Sequence, residues 1–206
     1  MSMTRVKICG LTREGDVDAA VQAGADALGF VFAAGSKRLL EPSQAAQLVG
    51  RVPAFVSRVG LFLNQEAEDV ARVLDRVPLN LLQFHGTEDG DFCRQFGMPY
   101  IKAVSAAERL SLEQTEMEFE DAAGLLLDSH PAGGLGGTGQ VFDWTRIEPG
   151  KLPLILAGGL TVGNVRSAIR QLQPWAVDVS SGVEDRPGIK NTDAMRDFIE
   201  EVKREY

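Results

Sequence analysis

Eight short apolar runs recur along this chain at spacings of about 20–30 residues, at positions 5–9, 27–32, 54–63, 79–84, 100–104, 124–128, 153–157 and 175–180. Stretches of helical character lie between them: one from Thr12 to Ala23, one starting near Pro42 and containing Ala45, Ala46 and Leu48, and others at 66–75, 88–96, 112–121, 162–172 and 192–205. Strands that are apolar along their whole length are buried on both faces. Their alternation with helices is the pattern of a parallel sheet covered by helices. Eight such units predict an α/β fold, a closed (β/α)8 TIM barrel, with an open doubly wound sheet as the competing architecture. The least regular unit lies between Asp128 and Pro153, where a glycine-rich loop leaves room for only a short helix around 144–147. No linker or low-complexity stretch divides the chain, so 1–206 is read as one catalytic domain. Thr12 is the expected N-cap of the first helix, with Asp16 and Asp18 in its early turns and Gly24 as its stop.

The first run, Arg5-Val6-Lys7-Ile8-Cys9, carries an ammonium and a thiol. Alternation along a strand puts Lys7 and Cys9 on one face and Val6 and Ile8 on the other. Two readings compete. In one the strand lines a polar site; in the other it is an edge strand, with Lys7 in solvent and Cys9 a small apolar filler.

The placement of other polar residues favours a site. Barrel enzymes build their sites at the C-terminal ends of the strands. There the chain has Cys9, then Ser36-Lys37-Arg38 after the second strand, Gln83-Phe84-His85-Gly86 ending the fourth, and Asp128 ending the sixth. Gln83 and His85 share a face. The seventh strand runs into Gly158-Gly159, and the eighth into Asp178-Val179-Ser180-Ser181-Gly182. Small residues at both of these last places suit a phosphate cradle. Glycine permits close backbone approach, and serine adds a hydroxyl donor. Singly, each residue has a plain structural explanation, such as a turn cap, a buried imidazole or a solvated arginine; their coincidence at equivalent strand ends points to one site.

A net charge of −8 argues against a nucleic-acid surface or a polybasic membrane anchor, though not against an anionic small-molecule substrate held in a local positive pocket. Two cysteines and two histidines, without ligand spacing, give no disulfide framework and no zinc site. No apolar run approaches the ~18 residues of a membrane span, and no signal peptide precedes the first strand, so a cytoplasmic setting is expected.

Taken in order, VKICG at 6–10, SKR at 36–38, QFHG at 83–86, LLLD at 125–128, GGTG at 136–139, FDW at 142–144, LAGGL at 156–160 and DVSSGVE at 178–184 closely resemble the phosphoribosylanthranilate isomerases of tryptophan biosynthesis. KICG and DVSSGVE together are the specific part of the likeness; AGGL alone is shared by many barrels. The resemblance implies a (β/α)8 barrel that works without metal or organic cofactor on an aminoribose 5-phosphate. Either a monomer or a homodimer is expected, with no nucleic-acid or membrane partner. It implies that Cys9 is the general base and Asp128 the general acid. By the same carry-over Arg38 faces the anthranilate carboxylate, while Gly159, Ser181 and Gly182 hold the phosphate; the loop reading adds Gly158 and Ser180 to that cradle. Lys7, Gln83, His85 and Asp178 are substrate-side positions of the same motifs. Two departures stand out. Lys37 occupies a position that is often proline in the family, which bears on loop stiffness. Asn191 follows Gly188-Ile189-Lys190 where an aspartate is common; both residues cap helices, so the last helix should start unchanged.

The implied chemistry is an Amadori rearrangement. An acid protonates the ring oxygen so that the furanose opens to an iminium, a base removes the C2 proton, and the enolamine tautomerises to the ketone. A carboxyl titrating near ~3.9 when free needs burial or a nearby negative charge to stay protonated, and a thiol near ~8.5 must be lowered, which the neighbouring Lys7 is expected to do. Alternatives are the aminoaldose isomerase of histidine biosynthesis, which has an aspartate in place of Cys9, a Schiff-base aldolase using Lys7 or Lys102, and a non-catalytic phosphate-binding barrel.

Overall fold

The computed structural model describes residues 3–105, 112–128 and 150–204. The motifs at 136–139 and 142–144 and the short helix expected at 144–147 lie outside the described residues. In chain order the elements are β1 (Arg5–Cys9), α1 (Glu14–Ala23), β2 (Ala27–Val31), α2 (Pro42–Val49), β3 (Ser57–Phe62), α3 (Ala67–Leu74), β4 (Leu81–Phe84), α4 (Gly90–Arg94) and β5 (Tyr100–Ser105). They continue with α5 (Leu112–Glu118), β6 (Gly124–Asp128), β7 (Leu154–Leu156), α6 (Val165–Leu172) and β8 (Ala176–Val179). A helical turn (Ser181–Val183) and a small hairpin, β9 (Glu184–Arg186) with β10 (Ile189–Lys190), then lead into α7 (Thr192–Lys203).

β1 to β8 form a closed parallel barrel in sequence order. Closure comes from β1 pairing β8, with Arg5, Val6, Lys7 and Ile8 opposite Ala176, Val177, Asp178 and Val179. This pairing excludes the open doubly wound sheet. Alternation along each strand then sorts side chains into two cores. Val6 and Ile8 join Val17, Ala20, Phe198 and Val202 in the layer between barrel and helices, where α7 packs against both β1 and α1. Phe32, Phe62 and Phe84 continue that layer along β2 to β4, with ring centroids 5.4 and 6.0 Å apart. Inside the barrel, Ile101, Ala103, Leu126, Ile155 and Ala176 form a separate apolar plug. Each of the isoleucines and the leucine contributes about 1.5–3 kcal/mol relative to exposure, the alanines less. The plug fills the middle, so polar chemistry is confined to the strand C-termini above it.

Several element ends differ from expectation for local reasons. The third strand begins at Ser57 rather than 54, because Val56 N donates to Pro53 O in a turn and Phe55 stands in solvent. Apolar content alone extends this strand too far. Helix α1 is entered through Arg13 without a side-chain cap, and Thr12 instead donates its hydroxyl to Gly188 O. Helix α4 spans only Gly90–Arg94, capped by Asp89, which accepts from Phe92 N; Glu88 is diverted to Asn64 N, Gly86 N and the Lys102 ammonium. The last helix starts as expected, since Asn191 Oδ1 accepts from Ala194 N at 2.8 Å.

Candidate active site

Lys7 and Cys9 both point into the barrel, and neither is in solvent: Lys7 is 4% exposed and Cys9 5%. The edge-strand reading therefore fails, because β1 is flanked by β2 and β8 and has no free edge. Lys7 sits opposite Asp178 in the β1–β8 register, and its Nζ lies 2.9 Å from Asp178 Oδ1. Two buried charges need each other, since removing one partner of such a pair costs about 3–5 kcal/mol. Cys9 sits opposite Gly29 of β2, and a Cβ on Gly29 would lie 2.8 Å from its Sγ. That glycine keeps space open beside the thiol.

Gln83 and His85 extend from the end of β4 toward Asp128. Gln83 Nε2 lies 3.0 Å from His85 Nδ1, and His85 Nε2 lies 3.4 Å from Asp128 Oδ2. An amide nitrogen can only donate, so Nδ1 accepts, and a neutral ring in this arrangement carries its proton on Nε2, facing the carboxylate. Gln83, His85 and Asp128 thus stand in line along one side of the site. Gln83 is fully buried in the pocket wall, and its Oε1 has no hydrogen-bond partner among the described residues. It is an acceptor suited to a ligand hydroxyl.

The loops after β7 and β8 meet closely. Gly158 and Gly159 have φ of 80° and 65°, successive left-handed positions that a residue with a Cβ would adopt only under strain. Asn164 pins this loop, accepting from Thr161 N at 2.8 Å and donating to Gly159 O at 2.9 Å. A Cβ on Gly182 would collide with the Leu160 carbonyl oxygen, so glycine is required for the β8 loop to lie on the β7 loop. Arg38 crosses Gly10, where a Cβ would strike its Cδ, and forms a two-pronged pair with Glu184, Nε–Oε1 at 2.8 Å and Nη2–Oε2 at 2.6 Å. Glu184 also accepts from Lys190 Nζ at 2.8 Å, and Lys190 reaches Ser180 O at 3.0 Å.

The family described as N-(5'phosphoribosyl)anthranilate (PRA) isomerase matches residues 6–201. An N-(5'-phosphoribosyl)anthranilate isomerase of Dechloromonas aromatica is 52% identical over 203 residues, covering 98% of this chain and 97% of that protein. The crystal structure of phosphoribosyl anthranilate isomerase from Thermotoga maritima superposes with a TM-score of 0.87 at 40% identity, covering 98% of this chain and all of that one. A phosphoribosyl anthranilate isomerase in complex with reduced 1-(o-carboxyphenylamino)-1-deoxyribulose 5-phosphate superposes with a TM-score of 0.83, again at 40% identity, covering 98% and 100% of the two chains. The chain belongs to the phosphoribosylanthranilate isomerase family. It is an isomerase, and its fold is the TIM barrel of those structures.

In this isomerase the strand-end residues come together as one pocket. Cys9, Arg38, Gln83, His85, Asp128, Gly158, Gly159, Asp178, Ser180, Ser181 and Gly182 all line it, with Val31, Leu61 and Leu63 as an apolar wall. Lys7 lies just beneath, behind Cys9. One expectation is overturned. Burial pushes the Cys9 thiol up, and the pull of Lys7 and of Lys190 does not offset it; Asp178 pushes it further in the same direction. Burial alone would pull Lys7 down, but the Asp178 carboxylate, joined by Cys9 when it is ionised, outweighs burial and holds the ammonium above its ordinary value. Cys9 is thus a thiol with a raised pKa next to a lysine whose pKa is also raised. Sequence reasoning gave no role to Glu184, Lys190 or Asn164. An acid and a base six residues apart around Pro187-Gly188 were the available sign of a hairpin ion pair. Among the described residues no helix is long and apolar enough to cross a membrane.

Proposed function

We propose that this isomerase converts N-(5-phosphoribosyl)anthranilate to 1-(2-carboxyphenylamino)-1-deoxyribulose 5-phosphate in tryptophan biosynthesis, with Cys9 as general base and Asp128 as general acid. The observation that carries the reading is convergence: a thiol from β1 and a carboxyl from β6, well apart around the barrel, line one pocket with the glycine–serine loops of β7 and β8. The relatives named for this reaction, and the reduced product bound in one of them, support the choice of substrate.

The phosphate is assigned to the backbone N–H groups and hydroxyls of Gly158, Gly159, Ser180, Ser181 and Gly182, and the aryl carboxylate to Arg38. With both ends anchored, the sugar lies between Cys9 and Asp128. Asp128 gives its proton to the ring oxygen, and the C1–O bond breaks to leave an iminium. Cys9, in its thiolate form, takes the C2 proton to become the thiol, and the C2–H electron pair neutralises the iminium to give an enolamine. Reprotonation at C1 and loss of the O2 proton give the ketone. The Lys7 ammonium, within hydrogen-bonding reach of Cys9, stabilises the thiolate that takes the C2 proton. His85 holds the Asp128 carboxyl in place, and Gln83 Oε1 accepts from a sugar hydroxyl.

The direct test is a fluorescence assay following consumption of phosphoribosylanthranilate by purified protein; absence of turnover overturns the reading. Arg38→Ala is expected to raise KM by about tenfold or more with kcat changed far less, because a charge-assisted contact to the carboxylate serves ground and transition states alike. Steady-state kinetics decide, and a loss expressed wholly in kcat would assign Arg38 another role.

A further inference from the structure

The hairpin that follows β8 is small, yet it touches each loop assigned to substrate binding on its side of the pocket. Glu184, at its start, has a side chain only 3% exposed, and the Lys190 side chain at its end is fully buried. The Glu184 carboxylate accepts four hydrogen bonds: two from Arg38, one from Lys190 Nζ at 2.8 Å and one from Gly188 N at 3.3 Å. Lys190 Nζ in turn holds Ser180 through its carbonyl at 3.0 Å, and its Oγ lies at 3.5 Å. The hairpin is fastened from beneath, with Lys190 N donating to Asp16 Oδ2 and Thr12 donating to Gly188 O. The carboxylate therefore sits on a continuous line from the arginine of the β2–α2 loop to the serine of the β8 loop.

Charge shows what this line can do. Two cations share one carboxylate, so the trio carries a net charge of +1. Lys190 has no exposed surface, whereas Arg38 lines the pocket. The surplus positive charge is thus presented to a ligand through Arg38 alone. The Arg38 edge formed by Nε and Nη2 is committed to Glu184, which leaves Nη1 for a second anion. A guanidinium gripped on two of its nitrogens has little rotamer freedom left to lose on binding.

We propose that Glu184 is a positioning residue of this isomerase. Clamped between Arg38 and Lys190, it holds the carboxylate-recognising arginine at a set distance from the phosphate-binding β8 loop, and so selects substrates whose two anionic ends have that separation. The inference rests on the assignment of Arg38 to the aryl carboxylate.

The test is a double-mutant cycle in KM for phosphoribosylanthranilate, using Arg38→Ala, Glu184→Gln and the two combined. Glu184→Gln is expected to raise KM roughly tenfold or more while kcat moves far less, as loss of a charge-assisted network contact does. On the Arg38→Ala background the same change should raise KM by much less, because Glu184 acts through Arg38. Glu184→Gln/Lys190→Met removes both buried charges together and keeps the fold if the single change leaves Lys190 unpaired. This pair of changes should raise KM at least as much, since it also releases Ser180. Three outcomes overturn the proposal. If Arg38→Ala raises KM but Glu184→Gln does not, Glu184 is not positioning, and the assignment of Arg38 stands. If Glu184→Gln costs the same with and without Arg38, the residue supports the hairpin only. If Arg38→Ala itself leaves KM unchanged, the carboxylate assignment falls and takes the inference with it.

Discussion

Cys9→Ala is expected to lower kcat by roughly 10²–10⁴-fold, the range a positioned general base contributes, with the barrel still folded. The side chain is small, and the space it fills beside Gly29 already opens into the pocket, so little packing is lost. The pH dependence makes the test specific. Burial raises the thiol pKa, so the basic form is gained as pH rises through that raised value and lost as pH falls below it. For the wild type, kcat/KM, which reports the free enzyme, should therefore still be climbing between about pH 7 and pH 9 rather than levelling near the ~8.5 of an ordinary thiol. Lys7 stays charged across that window, since its own pKa is held above the ordinary lysine value. In Cys9→Ala the climbing limb should vanish along with the rate. Near-normal kcat in the alanine variant would return Cys9 to the role of a packing residue.

Asp128→Asn should be comparably severe and more informative about order of events. The amide keeps the size of the side chain, and its oxygen can still accept from His85 Nε2, so the Gln83–His85–Asp128 arrangement survives. What is lost is a proton to give. Turnover should fall by orders of magnitude, while affinity for inorganic phosphate as a competitive inhibitor stays within about twofold, because the glycine–serine loops lie on other strands. A substrate analogue already ring-opened should recover most of the lost rate, since protonating the ring oxygen is the step assigned to this carboxyl. The ratio of wild-type to variant turnover on closed and opened substrates is the measurement. Equal deficits on both would move Asp128 from ring opening to the enolamine stage.

These two residues were legible in the sequence because each ends an apolar strand, and strand ends converge in any closed parallel barrel. The same reasoning gathered Arg38, Gln83, His85, Asp178 and the β7 and β8 loops into one place. It read helix starts less well. Thr12 looks like a cap on its own, and only the folded chain brings Gly188 within reach of its hydroxyl. The third strand is shorter than its apolar run because Ala54 and Phe55 are apolar but belong to a turn that Pro53 begins.

What the sequence determined by itself was periodic and local: eight strands between helices, which strand residues face inward, and which chemistry stands at the strand ends. What tertiary structure decided was pairing between distant groups and the sign of its consequences. Lys7 meets Asp178 across 171 residues only because the barrel closes between its first and last strands. Arg38 meets Glu184 across 146, through a hairpin that no periodicity announces. The direction of the Cys9 pKa shift belongs to the same class. Sequence places an ammonium two residues away and suggests a lowered thiol pKa. Burial depends on everything packed around β1, and in this barrel it outweighs the neighbouring charge.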